Sequence, residues 1–213
     1  VQTCALPIFY GIKDTIVLST DDLHKWCRND EKWESITHLN RDANNLELGD
    51  FHLSQLKNGL PIYRSSYNHK HGYFDAPQKI FPKTFVIVEG LHAFYTEESK
   101  KNIDKKIYVE TEENLRIHWK LIRDTTQRSG KREKILESIE RRKKDAEDLR
   151  QAQLPCSDII INLFPKSPIK NIGNKDEIVD IECVITKNNE EECELYNFIK
   201  MYTEERNSFI DIS

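Results

Sequence analysis

Phe85-Val86-Ile87-Val88-Glu89-Gly90-Leu91-His92 is an unbroken apolar run that stops on a carboxylate and a glycine. A continuous run rich in β-branched residues is what a strand covered on both faces looks like, and in parallel α/β sheets ligands gather at the strands' carboxyl ends. Glu89 therefore stands where chemistry is expected, although on this segment alone a polar cap on a core strand explains it equally well. Residues 14–20 form a second short apolar run that ends directly on Asp21 and Asp22. Two strand-end carboxylates on neighbouring strands can share a divalent cation and activate a hydroxyl, which is what phosphoryl transfer requires.

Working outward, Leu46, Leu48, Phe51, Leu53 and Leu56 predict a helix within 44–57 that closes near Gly59. Residues 62–68 and 73–75 flank Lys70-His71-Gly72 and read as a hairpin turning at Gly72. A strand at 84–89 and a short one at 106–109 follow. A helix over 112–126 opens with acidic residues, as the helix dipole favours, and lays Leu115, Ile117, Trp119, Leu121 and Ile122 on its inner side. Gly130 breaks it, and 133–151 reads as one long charged helix. Strands at 157–163 and 178–186 and a terminal helix over 189–205 complete an alternation that argues for a mostly parallel α/β sheet.

Composition narrows the function. Charged residues make up 32% and the formal net charge is -4, so a nucleic-acid partner has no electrostatic footprint in the global balance. Cys4, Cys27, Cys156, Cys183 and Cys193 form no CxxC pair and no even framework, a pattern suited to a reduced, cytoplasmic protein. No apolar run approaches the roughly 18 residues of a membrane span. Residues 1–8 fit nothing that follows and are expected to be a non-native artefact.

A cationic constellation sits in His118-Trp119-Lys120-Leu121-Ile122-Arg123-Asp124-Thr125-Thr126-Gln127-Arg128. The three-residue step places Lys120 and Arg123 on one helix face, and Arg128 lies just before the Gly130 break, where a helical lid would carry it inward. A solvated basic face is the competing reading. It suits the run Arg141-Arg142-Lys143-Lys144 better, although Arg142 has the reach to meet a phosphate.

Five blocks carry a resemblance: residues 39–45 (Leu-Asn-Arg-Asp-Ala-Asn-Asn), 61–69 ending in Tyr67-Asn68-His69, 87–92, 117–124 and 152–165. In order and spacing they resemble the phosphoribulokinase and uridine kinase family of P-loop kinases over about residues 14–165. Tyr67-Asn68-His69, and His24 after Asp21, bring the chain closer to the phosphoribulokinase branch. The resemblance implies a P-loop NTPase-like domain over 9–165 with a strand–helix extension over 166–213, and ATP and Mg2+ as cofactors. It implies Asp21 as catalytic base near the magnesium, and Glu89 as the Walker B-type acidic residue. Lys120, Arg123 and Arg128 would embrace the transferring phosphoryl group, the two arginines contacting the nucleotide. His24, Arg28, Tyr67 and His69 would hold a sugar phosphate, with Arg142 nearby. Tyr67 and His69 are also explained as hairpin packing residues, and Asp22 as a loop cap.

An ion pair at 4 Å gains about 4 kcal/mol at an effective dielectric near 20, against about 1 kcal/mol net for a neutral hydrogen bond. Arg28, His24 and His69 therefore favour an acceptor that already bears a phosphate. The expected activity is transfer of the γ-phosphoryl group to a pentose phosphate, ribulose 5-phosphate first. Uridine or cytidine is the alternative acceptor, and a non-catalytic regulatory homologue the alternative outside the enzymes. Partners are expected to be small molecules rather than nucleic acid or membrane, with homo-oligomerisation left open. Residues 1–213 contain no Gly-x-x-x-x-Gly-Lys-Ser/Thr. The family's loop precedes the strand at 14–20, so the N-terminal strand and P-loop are expected to be missing by truncation and this polypeptide to be inactive. Lys144, Leu149 and Ala152 also depart from the photosynthetic pattern and leave the acceptor open.

Overall fold

Thr15–Ser19 (β1) and Phe85–Glu89 (β6) pair in parallel in the computed structural model, which describes residues 12–188 and residue 197. The expected terminal helix over 189–205, but for Asn197, and residues 1–8 lie outside the described residues. The chain forms two compact units that are discontinuous in sequence. Residues up to 104 combine with 142–153, and residues 105–141 combine with those from 154 onward.

In the first unit the β1–β6 register runs from Thr15 opposite Phe85 to Ser19 opposite Glu89. Leu46–Lys57 (α1) packs on this pair: Leu56 joins Leu18 and Ile62 in a buried cluster, with Ile16, Leu53, Ile80 and Val86 against it. Burying a leucine or isoleucine contributes about 1.5–3 kcal/mol, so this cluster is what holds the carboxyl ends of β1 and β6 in place.

The expected single hairpin resolves into two. Ile62–Arg64 (β2) pairs with Gln78–Ile80 (β5), and nested inside it Tyr67–Asn68 (β3) pairs with Tyr73–Phe74 (β4). Gly72 adopts φ +79, and a Cβ there would fall 2.6 Å from Arg28 Cβ, so the turn needs glycine both for its backbone and for space. Glu97–Asn102 (α2) is a short helix that periodicity did not reveal. A reciprocal Thr96–Ser99 capping box starts it.

In the second unit Ile107–Thr111 (β7) runs parallel to Ile159–Pro165 (β8), and Ile181–Lys187 (β9) pairs antiparallel to β8. Glu113–Thr126 (α3) buries Leu115, His118, Leu121 and Asp124, a strict three-residue step. This differs from the expected inner stripe, because Trp119 and Ile122 are only half-buried while two polar residues go inside. His118 Nδ1 accepts the Gly173 N–H at 3.0 Å, which satisfies the buried ring. Leu121 packs with Ile135 and Ile139 of Arg132–Arg141 (α4).

The long helix expected over 133–151 is two helices. Lys143–Gln153 (α5) follows α4 after a break at Arg142, and the break coincides with the passage from the second unit to the first. α5 then holds two loops of the first unit. Asp145 accepts hydrogen bonds from Thr37 Oγ1 (2.5 Å) and Asn40 Nδ2 (3.0 Å). Gln153 donates to the Leu91 carbonyl (2.8 Å) and accepts from the Phe94 N–H (3.2 Å). The parallel pairs β1–β6 and β7–β8, alternating with helices along the chain, make the α/β class expected from sequence.

Candidate active site

At the end of β1 the chain turns immediately into a 3-10 helix, Thr20–Leu23. Ser19 caps it by accepting the Asp21 N–H at 3.3 Å, so Asp21 is presented at the strand's carboxyl end. The end of β6 lies beside it. Gly90 has φ +119, and a Cβ there would come within 2.1 Å of Thr20 Oγ1. The two strand ends meet this closely only because residue 90 has no side chain, and that proximity brings the Asp21 turn next to Glu89.

Around Asp21 the first unit gathers four of the expected residues. His69 Nε2 lies 3.5 Å from Asp21 Oδ2. Tyr67 sets its ring edge-to-face against His69 (5.1 Å) and His24 (5.5 Å). The Arg28 guanidinium donates to the His69 carbonyl, and its backbone N–H donates to the Gly72 carbonyl at 2.8 Å. Arg28 thus braces the hairpin that carries Tyr67 and His69.

His24 is buried and meets three rings edge-on, those of Trp33, His38 and Tyr67. Burial lowers its pKa, with nearby Asp21 opposing, so at neutral pH it offers an uncharged hydrogen-bonding ring rather than the cation expected from sequence. Trp33, which carried no sequence signal of a role, organises this corner. Its Nε1–H donates to the Cys27 carbonyl at 2.7 Å and its ring stacks on His38 at 3.8 Å.

Asp22 is more than a loop cap. Its Oδ2 lies 3.3 Å from Arg64 Nε and its Oδ1 accepts the Tyr67 N–H at 2.7 Å. His92, just past Glu89, donates Nε2–H to the Leu39 carbonyl at 3.0 Å, and burial pushes its pKa down to about 4. The folded protein therefore binds fewer protons than the unfolded chain between pH 4 and 6.5. Stability is complete above about 6.5 and falls as pH drops toward 4, by about 3 kcal/mol from this group. Urea denaturation across that range is expected to show the loss, and His92→Gln to flatten the slope.

Lys120, Arg123 and Arg128 belong to the second unit, where one carboxylate collects them. Asp124 lies 2.8 Å from Lys120 Nζ, 2.8 Å from Arg123 Nε and 3.5 Å from Arg128 Nη1. Burial would raise its pKa, but hydrogen bonds from Arg123 and Lys120 hold it below the usual carboxylate range. Arg123 and Arg128 are 47% and 60% exposed, so both guanidinium groups meet solvent while held beside Asp124. Arg142 is half-buried at the head of α5 and belongs to the first unit.

Among the described residues no cluster of three His, Cys, Asp or Glu side chains could hold a metal by itself. Magnesium does not demand one, since it is commonly bound through one or two carboxylates plus phosphate oxygens and water. Glu89 ends β6 and Asp21 follows the paired end of β1, so these two would supply such carboxylates. No helix among the described residues is long and apolar enough to cross a membrane.

The fold is of the α/β class found in P-loop kinases: a solved phosphoribulokinase from Rhodobacter spheroides superposes with a TM-score of 0.72 at 18% identity, covering 94% of this chain and 81% of that one. Residues 11–170 match the model of the phosphoribulokinase / uridine kinase family. The phosphoribulokinase of Synechocystis sp. is 33% identical over 166 residues, 78% of this chain and 50% of that protein. A uridine kinase of Staphylococcus carnosus is 36% identical over 86 residues, 40% of this chain and 41% of that protein. The chain belongs to the phosphoribulokinase / uridine kinase family. It spans about half the length of the phosphoribulokinase from Synechocystis sp. and less of that from Chlamydomonas reinhardtii.

Proposed function

We propose that the protein is an ATP- and magnesium-dependent kinase that transfers the γ-phosphoryl group to a hydroxyl of a pentose phosphate, with ribulose 5-phosphate as the leading acceptor. The observation that carries the proposal is the contact of Asp21 with His69, inside a cluster that also holds Arg28 and Tyr67. A carboxylate at a strand end is placed to take the proton of an acceptor hydroxyl, and the arginine and imidazole beside it suit an anionic acceptor better than a neutral nucleoside.

In this reading Glu89 and Asp21 hold magnesium, which when bound neutralises charge on the phosphates. Lys120, Arg123 and Arg128 stabilise the negative charge on the transferring group. Arg28, Tyr67 and His69 orient the acceptor, with His24 packed behind Tyr67, and Arg142 reaches a phosphate. The long share of chain matched by phosphoribulokinases, against the shorter uridine kinase match, supports the same acceptor class.

Turnover of the intact gene product with MgATP, on ribulose 5-phosphate and on uridine, tests the proposal. The expected result is a kcat/KM at least about 10²-fold higher on the sugar phosphate, the value of one or two charge-assisted contacts. Preference for uridine would replace the acceptor assignment with a nucleoside kinase, and no transfer to either would favour a non-catalytic family member.

A further inference from the structure

Arg64 carries one of the most deeply buried charges in the first unit, with 5% of its side chain exposed. It sits at the end of β2, where an alternating strand would place an apolar residue as it does Ile62 two positions earlier. Its guanidinium instead spreads over three elements. Nη2 donates to the Ser19 carbonyl at the end of β1. Nε bonds Asp22 Oδ2 at 3.3 Å, and Nη1 lies 3.2 Å from His52 Nδ1 on α1. Burial and the adjacent Arg64 both lower the pKa of His52, so its ring nitrogen is an acceptor here.

Asp22 extends the network by one more step, because its second oxygen holds the Tyr67 N–H at 2.7 Å. Asp21 is flanked by two anchored groups, the Ser19 carbonyl and the Asp22 carboxylate. His69 lies two residues beyond the anchored Tyr67 amide. The 3.5 Å contact between Asp21 and His69 is therefore set from both sides by atoms that Arg64 holds directly or through Asp22.

A buried ion pair is a weak means of gaining stability, since desolvation offsets most of its attraction. What a planar fork of donors supplies is orientation. We propose that Arg64 is a positioning residue for phosphoryl transfer, fixing the turn that carries Asp21 and the start of the hairpin that carries Tyr67 and His69. The proposal rests on the kinase reading.

Two variants of the intact gene product test it. Arg64→Lys keeps a charge beside Asp22 but replaces the fork with one ammonium. Arg64→Met combined with Asp22→Asn removes both charges, so that neither is left buried alone. In both, kcat/KM for the acceptor is expected to fall at least about tenfold through a raised acceptor KM as well as a lowered kcat, with KM for ATP held within about twofold. The amide resonances of Asp21, Tyr67 and His69 are expected to move in Arg64→Lys, which leaves Asp22 in place, while those of β7 to β9 stay where they are.

A loss of kcat alone in proportion to a lowered folded fraction, with acceptor KM unchanged, would reduce Arg64 to a structural residue and overturn the proposal. Unmoved amide resonances at Asp21 and His69 would overturn it as well. If the parent protein transfers phosphate to no acceptor, the kinase reading fails on its own, and the resonances still decide whether Arg64 holds the Asp21 turn.

Discussion

Asp21→Asn is expected to reduce phosphoryl transfer by about 10² to 10⁴-fold, the usual worth of a positioned general base, while nucleotide affinity stays within about twofold. Asparagine has nearly the same volume and leaves the Ser19 cap in place, since that bond uses the backbone N–H of residue 21. What it loses is the capacity to take a proton and the charge facing His69 at 3.5 Å. The fold has little stake in the change, because the Asp21 side chain is 37% exposed and its pairing with His69 is a surface contact worth at most about 1 kcal/mol. Steady-state kinetics with nucleotide titration decides the matter. Turnover retained within a few-fold of the parent would remove Asp21 from the role of base.

Arg123→Ala is expected to have an effect of similar or greater size, about 10³ to 10⁵ in kcat, as for arginines that neutralise a transferring phosphoryl group. A loose transition state spreads charge over three oxygens, so catalysis depends on cations already in position. Arg123 has such a position: Asp124 orients its Nε at 2.8 Å while nearly half of the side chain remains open to solvent. A solvated basic face predicts a different pattern. An exposed ion pair contributes about 0–1 kcal/mol to stability, so in that case both melting temperature and turnover would scarcely move. The kinase reading predicts an unchanged melting temperature with a collapsed kcat. Measuring both on one preparation separates the two.

The sequence displayed some of this architecture openly and hid the rest for identifiable reasons. β1 and β6 were legible because a continuous apolar run that ends on an acid suits a strand, but neither is covered on both faces as expected: every residue of β6 is half-buried and Val17 of β1 is exposed. α1 and α3 were legible through their spacing, and Gly72 marked its turn because only glycine fits against Arg28. β5 was hidden because Gln78-Lys79-Ile80 holds one apolar residue in three and pairs with β2 only across the inner hairpin. The α4–α5 break was hidden because neither glycine nor proline marks Arg142, and it coincides with a change of packing unit that local sequence does not signal.

The site was legible in the same uneven way. Asp21, Arg28, Tyr67 and His69 lie together in the first unit, and their roles there rest on the proposal above. Asp124, next in the chain to Arg123, passed as spacer, because nothing local distinguishes a carboxylate that gathers three cations from one on a solvated face. Arg64 and Asp22 escaped for a stronger reason. Their pairing spans 42 residues, and a lone arginine at a strand end carries no periodic signal. Only a three-dimensional neighbour reveals its purpose.

The chain has three tryptophans, and two of them, Trp26 and Trp33, pack edge-to-face at 5.1 Å beside the ring cluster that backs Tyr67. Indole emission responds to small changes in its surroundings, and Trp33 lies against two imidazoles. The molecule thus carries its own optical probe next to the proposed acceptor site, and if an acceptor binds there its entry is expected to change the emission of unlabelled protein.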